Sequence, residues 1–240
     1  MSTGPATRAA RASEPTQARP ARGAGVREAI LDAAEALFGE HGIRAVSADR
    51  ILAEAGYSKV TFYRHFPSKD EVVVAYLERE LGRVRAVLAA AAGETAIDRG
   101  ASDAFGGVVE RSAAQGLAPV AAALTDEMCR PHFRGCPFIN AAAEYPDPDH
   151  PVRRVVTEFR GLMTGAIAEW ARLQGVRDPG AVASQAMMLR DGALVAGYLS
   201  GDPGGVAEEF VRSLAAIVRA AGGAAGRAAG GGEEPVASSR

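Results

Sequence analysis

Ser47-Ala-Asp-Arg-Ile51-Leu-Ala-Glu-Ala-Gly56-Tyr-Ser58-Lys59-Val-Thr61-Phe-Tyr63-Arg-His65-Phe-Pro67-Ser68-Lys69-Asp-Glu71 is the stretch whose reading decides the fold. Ser47 can cap a short helix, because its hydroxyl reaches the free backbone N–H groups of the first turn. Ile51, Leu52 and Ala55 then fall at helical spacing. Gly56 stands where that helix must stop and turn, a position that favours a left-handed backbone. Ser58 caps a second short helix over Lys59–Phe66, which Pro67 ends. Ser68 with Glu71 forms a capping box for a third, longer helix. Two short helices joined by a glycine turn form the unit that lays its second helix in the major groove of duplex DNA.

The surface of the second helix suits that use. Lys59, Thr61, Tyr63, Arg64 and His65 offer hydrogen-bond donors, and Val60 and Phe62 can face either inward or toward a base. Of the 27 basic residues in the chain, two are lysines, Lys59 and Lys69, and both fall in this stretch. That placement suits phosphate contact; a solvated basic face would look the same.

Around this core the sequence runs Ala29-Ile30-Leu31-Asp32-Ala33-Ala34, then Leu37-Phe38, His41-Gly42-Ile43, Val46-Ser47, Ile51 and Ala55 through Glu71. The run resembles the N-terminal domain of the TetR family of transcriptional regulators over about 45 residues. Phe62 and Tyr57 stand where that family more often has Leu and Val, both apolar exchanges at packed positions. The resemblance implies an all-α chain with a three-helix helix-turn-helix domain and a larger helical domain for effector binding and dimerisation. It implies that Tyr63, His65 and Lys69 hold phosphates, that Lys59, Val60 and Thr61 face bases, and that Ser47 and Arg50 approach the backbone, with Ser58 and Arg64 on the same surface. The partners implied are a double-stranded DNA operator, a small-molecule effector and a second copy of the chain, with repression as the expected mode.

Composition agrees with a globular chain. The chain is 48% hydrophobic and 23% charged, within the ordinary range for a packed domain. Residues 1–69 hold ten Lys and Arg against seven Asp and Glu, so the positive charge is local while the whole chain carries −2. Two cysteines do not make a disulfide framework, and a cytoplasmic setting is expected. No apolar run reaches the ~18 residues of a membrane span, and the N-terminus lacks the apolar segment of a secretory signal.

The expected division is a disordered arm over 1–24 with Arg8, Arg11, Arg19 and Arg22, a DNA-binding domain over 25–70, a helical effector and dimerisation domain over 71–221, and a disordered Gly/Ala-rich tail over 222–240. The arm suits minor-groove or phosphate contact, or is a solvated tail. Val26, Ala29, Ile30, Ala33, Ala34, Leu37 and Phe38 give the first helix one apolar stripe. A long helix from Asp70 to about Ala92 buries Val72, Val73, Tyr76, Leu77, Leu81, Val84 and Leu88, and belongs partly to each half. Residues 93–116 carry five glycines and only a weak helical signal around Phe105, Val108 and Val109. A helical pattern returns over 117–130. The block Arg134–Tyr145 resembles a segment of one branch of the family that links the pocket-walling helices.

Helices are predicted over 151–174, 179–199 and 204–221. Phe105, Phe138, Asn140, Phe159, Met163, Trp170 and Met187 are the candidate pocket residues, although aromatic and Met stripes are more often plain core. The family pairs its last two helices across a dimer interface, which points to Leu189, Ala193, Gly197, Phe210 and Leu214. Cys129, His132 and Cys136 have a C-x2-H-x3-C spacing with His150 nearby. Pro131 and Pro137 break any shared helical face, however, and buried cysteine as a small hydrophobe is commoner, so no metal and no cofactor are expected. No phosphate-binding glycine loop, HExxH, GxSxG or paired-carboxylate motif is present, so an enzyme is not the reading. The competing class is a helical protein-interaction module in which the helix-turn-helix is only packing.

Overall fold

A computed structural model of the chain describes residues 24–91, 118–130 and 133–222. The Arg-bearing arm, Phe105 with the rest of 92–117, Pro131, His132 and the tail from 223 lie outside the described residues. Among the described residues there are nine helices and no strands. They are α1 (Ala24–His41), α2 (Ala48–Ala55), α3 (Lys59–His65), α4 (Lys69–Ala91), α5 (Ala118–Met128), α6 (Pro137–Glu144), α7 (Pro151–Leu173), α8 (Pro179–Ser200) and α9 (Pro203–Ala220). The all-α prediction holds, and α6 is an element that the sequence pattern does not announce. No described helix is long and apolar enough to cross a membrane.

Each boundary has a local cause. Ser47 Oγ accepts from Arg50 N–H at 3.2 Å, and Ser58 Oγ accepts from Thr61 N–H at 3.3 Å, so both short helices start on hydroxyl caps. Gly56, at φ 72°, closes α2 by donating its N–H to Leu52 O at 3.0 Å. A side chain there would strain the left-handed backbone. Ser68 Oγ accepts from Glu71 N–H at 3.2 Å and opens α4. Proline stands in the first turn of α6, α7, α8 and α9, where its missing N–H is no loss.

α1, α2 and α3 close around Ile30, Leu37, Phe38, Val46, Ile51 and Phe62, all buried. α4 packs on α1 at one side and on α7 at the other, so it joins this small cluster to the rest. α7, α8 and α9 form the body of the larger part, α6 lies on α7, and α5 rests on α8 and α9. One continuous buried cluster runs from Ile30 to Val218.

A chain of charges stitches α1, α4 and α5 together. Arg79 reaches Asp32 Oδ1 at 2.6 Å and Glu35 Oε2 at 2.5 Å, and Arg83 holds Glu35 Oε1 at 2.8 Å. Arg83 also pairs with Glu80, which Arg130 reaches from the end of α5 at 3.3 Å. Burial works against the charged form of Glu35, yet hydrogen bonds and charge from Arg83 and Arg79 outweigh it and hold this carboxyl below the usual range. Glu80 lies deeper, and burial, with Glu35 adding to it, pushes its carboxyl up. The two therefore act on stability with opposite sign. The stability from Glu35 is present above the ordinary carboxylate value and is lost as pH falls through its depressed one. That from Glu80 is present at low pH and is lost as pH rises through its elevated value. Glu35→Gln is expected to lower stability at neutral pH by about 1 kcal/mol, allowing for solvent screening of a one-third exposed carboxylate. It should also flatten the acid limb of the stability–pH curve, measured by urea unfolding between pH 3 and pH 7, since the group that loses its charge there is gone.

Candidate nucleic-acid interface

Phe62 is fully buried and touches both Tyr63 and Phe66, which fixes how α3 rolls on the core. The choice left open by the sequence is thereby settled: Phe62 faces inward and Val60 outward, with 78% of Val60 exposed. Lys59, Tyr63 and Arg64 are exposed, and Thr61 and His65 are half-buried on the same helix. Thr61 Oγ1 and Ser58 Oγ lie 3.1 Å apart, so these two hydroxyls share a hydrogen bond. Ser47 and Arg50 are exposed at the start of α2, and Arg50 Nη2 meets His41 Nε2 at 2.5 Å. Lys59 Nζ is 2.9 Å from Asp49 Oδ1. The hydrogen bond to Asp49 raises the Lys59 pKa, so the ammonium stays charged and ties α3 to α2. Lys69 opens α4 half-buried. Burial draws its pKa down, with Arg44 adding to that and Glu144 and Asp70 opposing it. The predicted residues thus fall on or beside one surface, the outer side of α3 flanked by the starts of α2 and α4.

Contacts that the sequence does not disclose fasten this unit to α6. Ile43 N–H donates to Glu144 Oε1 at 3.2 Å, and Arg44 Nη2 donates to Glu144 O at 3.0 Å. Tyr145 Oη donates to Asp70 Oδ1 at 2.8 Å. His150 Nδ1 accepts from Val152 N–H at 3.2 Å, which leaves Nε2 as the protonated nitrogen facing Asp70 Oδ2 at 3.4 Å. Burial, then the bond to Asp70, drives the Tyr145 phenol well above its ordinary pKa. No sequence motif marks these pairs; the Pro-flanked turn after α6 is the only hint of a fixed loop.

The predicted pocket residues that the structure describes do not all line one space. Phe138 and Phe159 stack with ring centroids 3.9 Å apart, and the Arg190 guanidinium lies 5.3 Å from the Phe159 centroid. These two rings wall a cavity of about 500 Å3 that Arg160 and Asp191 also border. Asn140 lines a different space, a groove of about 850 Å3 between α1, α4, α6 and α8. Met187 and Trp170 are core and Met163 is half-buried; none of the three lines either space. The Trp170 indole N–H is buried without a hydrogen-bond partner.

The predicted interface residues are mostly spent inside the subunit. Ala193, Gly197, Phe210 and Leu214 are buried and Leu189 is half-buried. A Cβ on Gly197 would meet Met128 Sδ at 2.1 Å, so any larger residue there must displace the Met128 side chain that α5 lays on this glycine. The apolar side chains that α8 leaves outside are Met188, Val195, Tyr198 and Leu199, with Leu199 at 75% exposure. Cys136 is buried and Cys129 exposed, and no cluster of three metal-ligating side chains occurs among the described residues.

The family model of bacterial regulatory proteins of the tetR type matches residues 30–76, which span α1 to the first turns of α4. The crystal structure of SCO4454, a TetR-family transcriptional regulator from Streptomyces coelicolor, is 37% identical, with a TM-score of 0.68 over 82% of this chain and 95% of that one. The chain belongs to the TetR family. A TetR-type regulator from Streptomyces avermitilis is 26% identical and covers 82% of the chain, with a TM-score of 0.61. Among curated TetR relatives, the transcriptional regulator EthR of Mycobacterium tuberculosis is 42% identical over 73 residues, and the transcriptional repressor KstR2 of Rhodococcus jostii is 36% identical over 69 residues. These matches cover only about a third of either curated relative, 34% in each case.

Proposed function

We propose that the chain is a DNA-binding transcriptional regulator that represses from a palindromic operator as a homodimer and leaves it when a small, mainly apolar effector binds. Residues 25–70 are the DNA-binding part and 71–221 the effector and dimerisation part. The observation that carries this reading is the outer face of α3. Buried Phe62 holds the helix, and Lys59, Val60, Thr61, Tyr63 and Arg64 project from it with His65 and Lys69 at its edge. Lys59, Val60 and Thr61 are assigned to base edges, and Tyr63, His65 and Lys69 to phosphates. A two-fold dimer presents two such helices to half-sites about one helical turn or more apart.

The outward face of α8, with Met188, Val195 and Leu199 spaced along one stripe, is the surface proposed for pairing with the second copy. A packing module would not need the exposed donors of α3, and it would show no steep salt dependence. Lys69→Ala is expected to weaken binding to all duplex sequences and to lower the slope of log affinity against log salt by about one per subunit. Fluorescence anisotropy over a salt series measures it, and an unchanged slope removes Lys69 from the phosphate contacts. Release by effector is a population shift, so it is reciprocal: DNA weakens effector binding by the factor by which effector weakens DNA binding.

A further inference from the structure

We infer that Asp49 is a specificity-determining residue of the DNA-binding surface: it holds the Lys59 ammonium for base recognition and withdraws that charge from sequence-independent attraction to phosphate. The inference rests on the DNA-binding reading above and brings a carboxylate into it.

The contact is close. Lys59 Nζ lies 2.9 Å from Asp49 Oδ1 and 3.1 Å from Oδ2, so one ammonium meets both carboxylate oxygens. The pair joins the first residue of α3 to the first turn of α2, the two helix starts that face DNA in this reading. Arg50, Arg64 and Lys69 lie on or beside the same surface. Among the described residues these three form no ion pair, and the side chain that Arg50 meets is the His41 ring. Lys59 is therefore the one of the four cations whose charge is already answered by a carboxylate.

The fold does not need this pair. The Lys59 side chain is 68% exposed and that of Asp49 64%, and ion pairs in water add little to stability. The helix starts are already held by Ser47 and Ser58, and the packing of α2 and α3 by buried Ile51, Leu52 and Phe62. A carboxylate on a surface that meets DNA is repelled by phosphate, so its presence lowers affinity. What it supplies is discrimination. Sequence-independent binding grows with the number of phosphates that Lys and Arg neutralise, and a lysine already neutralised adds little to it. Base recognition depends instead on where donors and acceptors stand. The two carboxylate oxygens confine the ammonium and leave it a donor for guanine O6 or N7. The open lone pairs of Asp49 can accept from cytosine N4–H, so the two side chains together suit a G·C base pair.

The test uses the full chain, a duplex that it selects from a randomised library, and a shuffled duplex of the same base composition. Anisotropy over a salt series reads affinity and slope for each. Asp49→Asn is expected to bind the shuffled duplex about fivefold tighter, with a slope of log affinity against log salt steeper by about one per subunit. The ratio of selected to shuffled affinity should fall about fivefold or more, the value of one recognised base pair. Glu54→Gln removes the same charge from an exposed position on the same helix, about 140° around its axis, and should leave the ratio unchanged. Asp49→Glu, which keeps the carboxylate, should retain most of the ratio. Repeated library selection then locates the base: Asp49→Asn and Lys59→Gln should relax preference at the same G·C pair of each half-site. An unchanged slope and ratio in Asp49→Asn, or relaxation at different base pairs in the two variants, overturns the inference and leaves DNA binding standing. An equal fall in the ratio for Glu54→Gln also overturns it, because charge anywhere on α2 would then suffice. A parent chain that binds duplexes without preference leaves Asp49 nothing to determine, and one that binds no duplex overturns the DNA-binding reading as well.

Discussion

Phe62→Ala is expected to lower the stability of the chain by about 3–5 kcal/mol, the usual range for truncating a buried ring. Phe62 is fully buried, with Phe66 beside it and Ile51 and Leu52 buried in the same unit. Removing it opens a cavity beneath the helix that carries Lys59, Tyr63 and Arg64. The loss is not confined to stability. Without the ring, nothing fixes the roll of α3, so operator binding should fall even at temperatures where the helices persist. Val60→Ala, one turn face away, is the control. Val60 is 78% exposed, and its truncation should change stability by no more than about 0.5 kcal/mol. It should still alter operator preference if Val60 meets a base. Urea unfolding and anisotropy on one DNA duplex separate the two variants. A Phe62→Ala chain as stable as the parent would mean that α3 is not held by this residue.

Leu214→Glu is expected to be the most damaging single change, above about 4 kcal/mol, because it places an unpaired carboxylate in a closed core. Leu214 is 4% exposed on α9 and belongs to the buried cluster shared with α8. Its loss would therefore appear as unfolding of the larger part and cannot report on self-association. Leu199→Glu is the informative partner to it. That side chain is 75% exposed, so the fold should survive. If the outer stripe of α8 is where two copies meet, sedimentation at low micromolar concentration should find Leu199→Glu monomeric and Leu214→Glu largely unfolded. A dimeric Leu199→Glu protein would move the pairing surface off this stripe.

The contrast between these two leucines shows what a sequence can and cannot disclose. Ser47, Gly56, Ser58 and Ser68 were legible because their roles are local: a hydroxyl or a missing Cβ acts on backbone within four residues. The inward face of α1 was legible from its spacing. α6 was not, because it is eight residues long and begins on Pro137 without a side-chain cap hydrogen bond. Ala193 and Gly197 carry a small-residue signature that close approach of helices leaves within a subunit as well as between subunits. The partner of Gly197 is Met128, far away in the chain. The groove was illegible for a related reason. Glu35 and Arg83 stand 48 residues apart, and Ile43 and Glu144 stand 101 apart. Nothing in either residue's neighbourhood names the other. Trp170 and Met187, chosen for a pocket, obey helical spacing because they fill the core.

Lys59 and Lys69 are the only lysines in the chain, and both lie at the surface assigned to DNA. Amine-directed isotope labelling would therefore give a spectrum with two side-chain reporters and the N-terminus, and no other amine from the rest of the chain. The two are distinguishable by chemistry. Lys59 holds its proton more firmly because of Asp49, and Lys69 less firmly because of its burial. On raising the pH, the Lys69 amine should turn nucleophilic first. Reductive methylation with 13C-formaldehyde would thus mark Lys69 ahead of Lys59. The order in which the two signals respond to added duplex would show which edge of the recognition surface moves first.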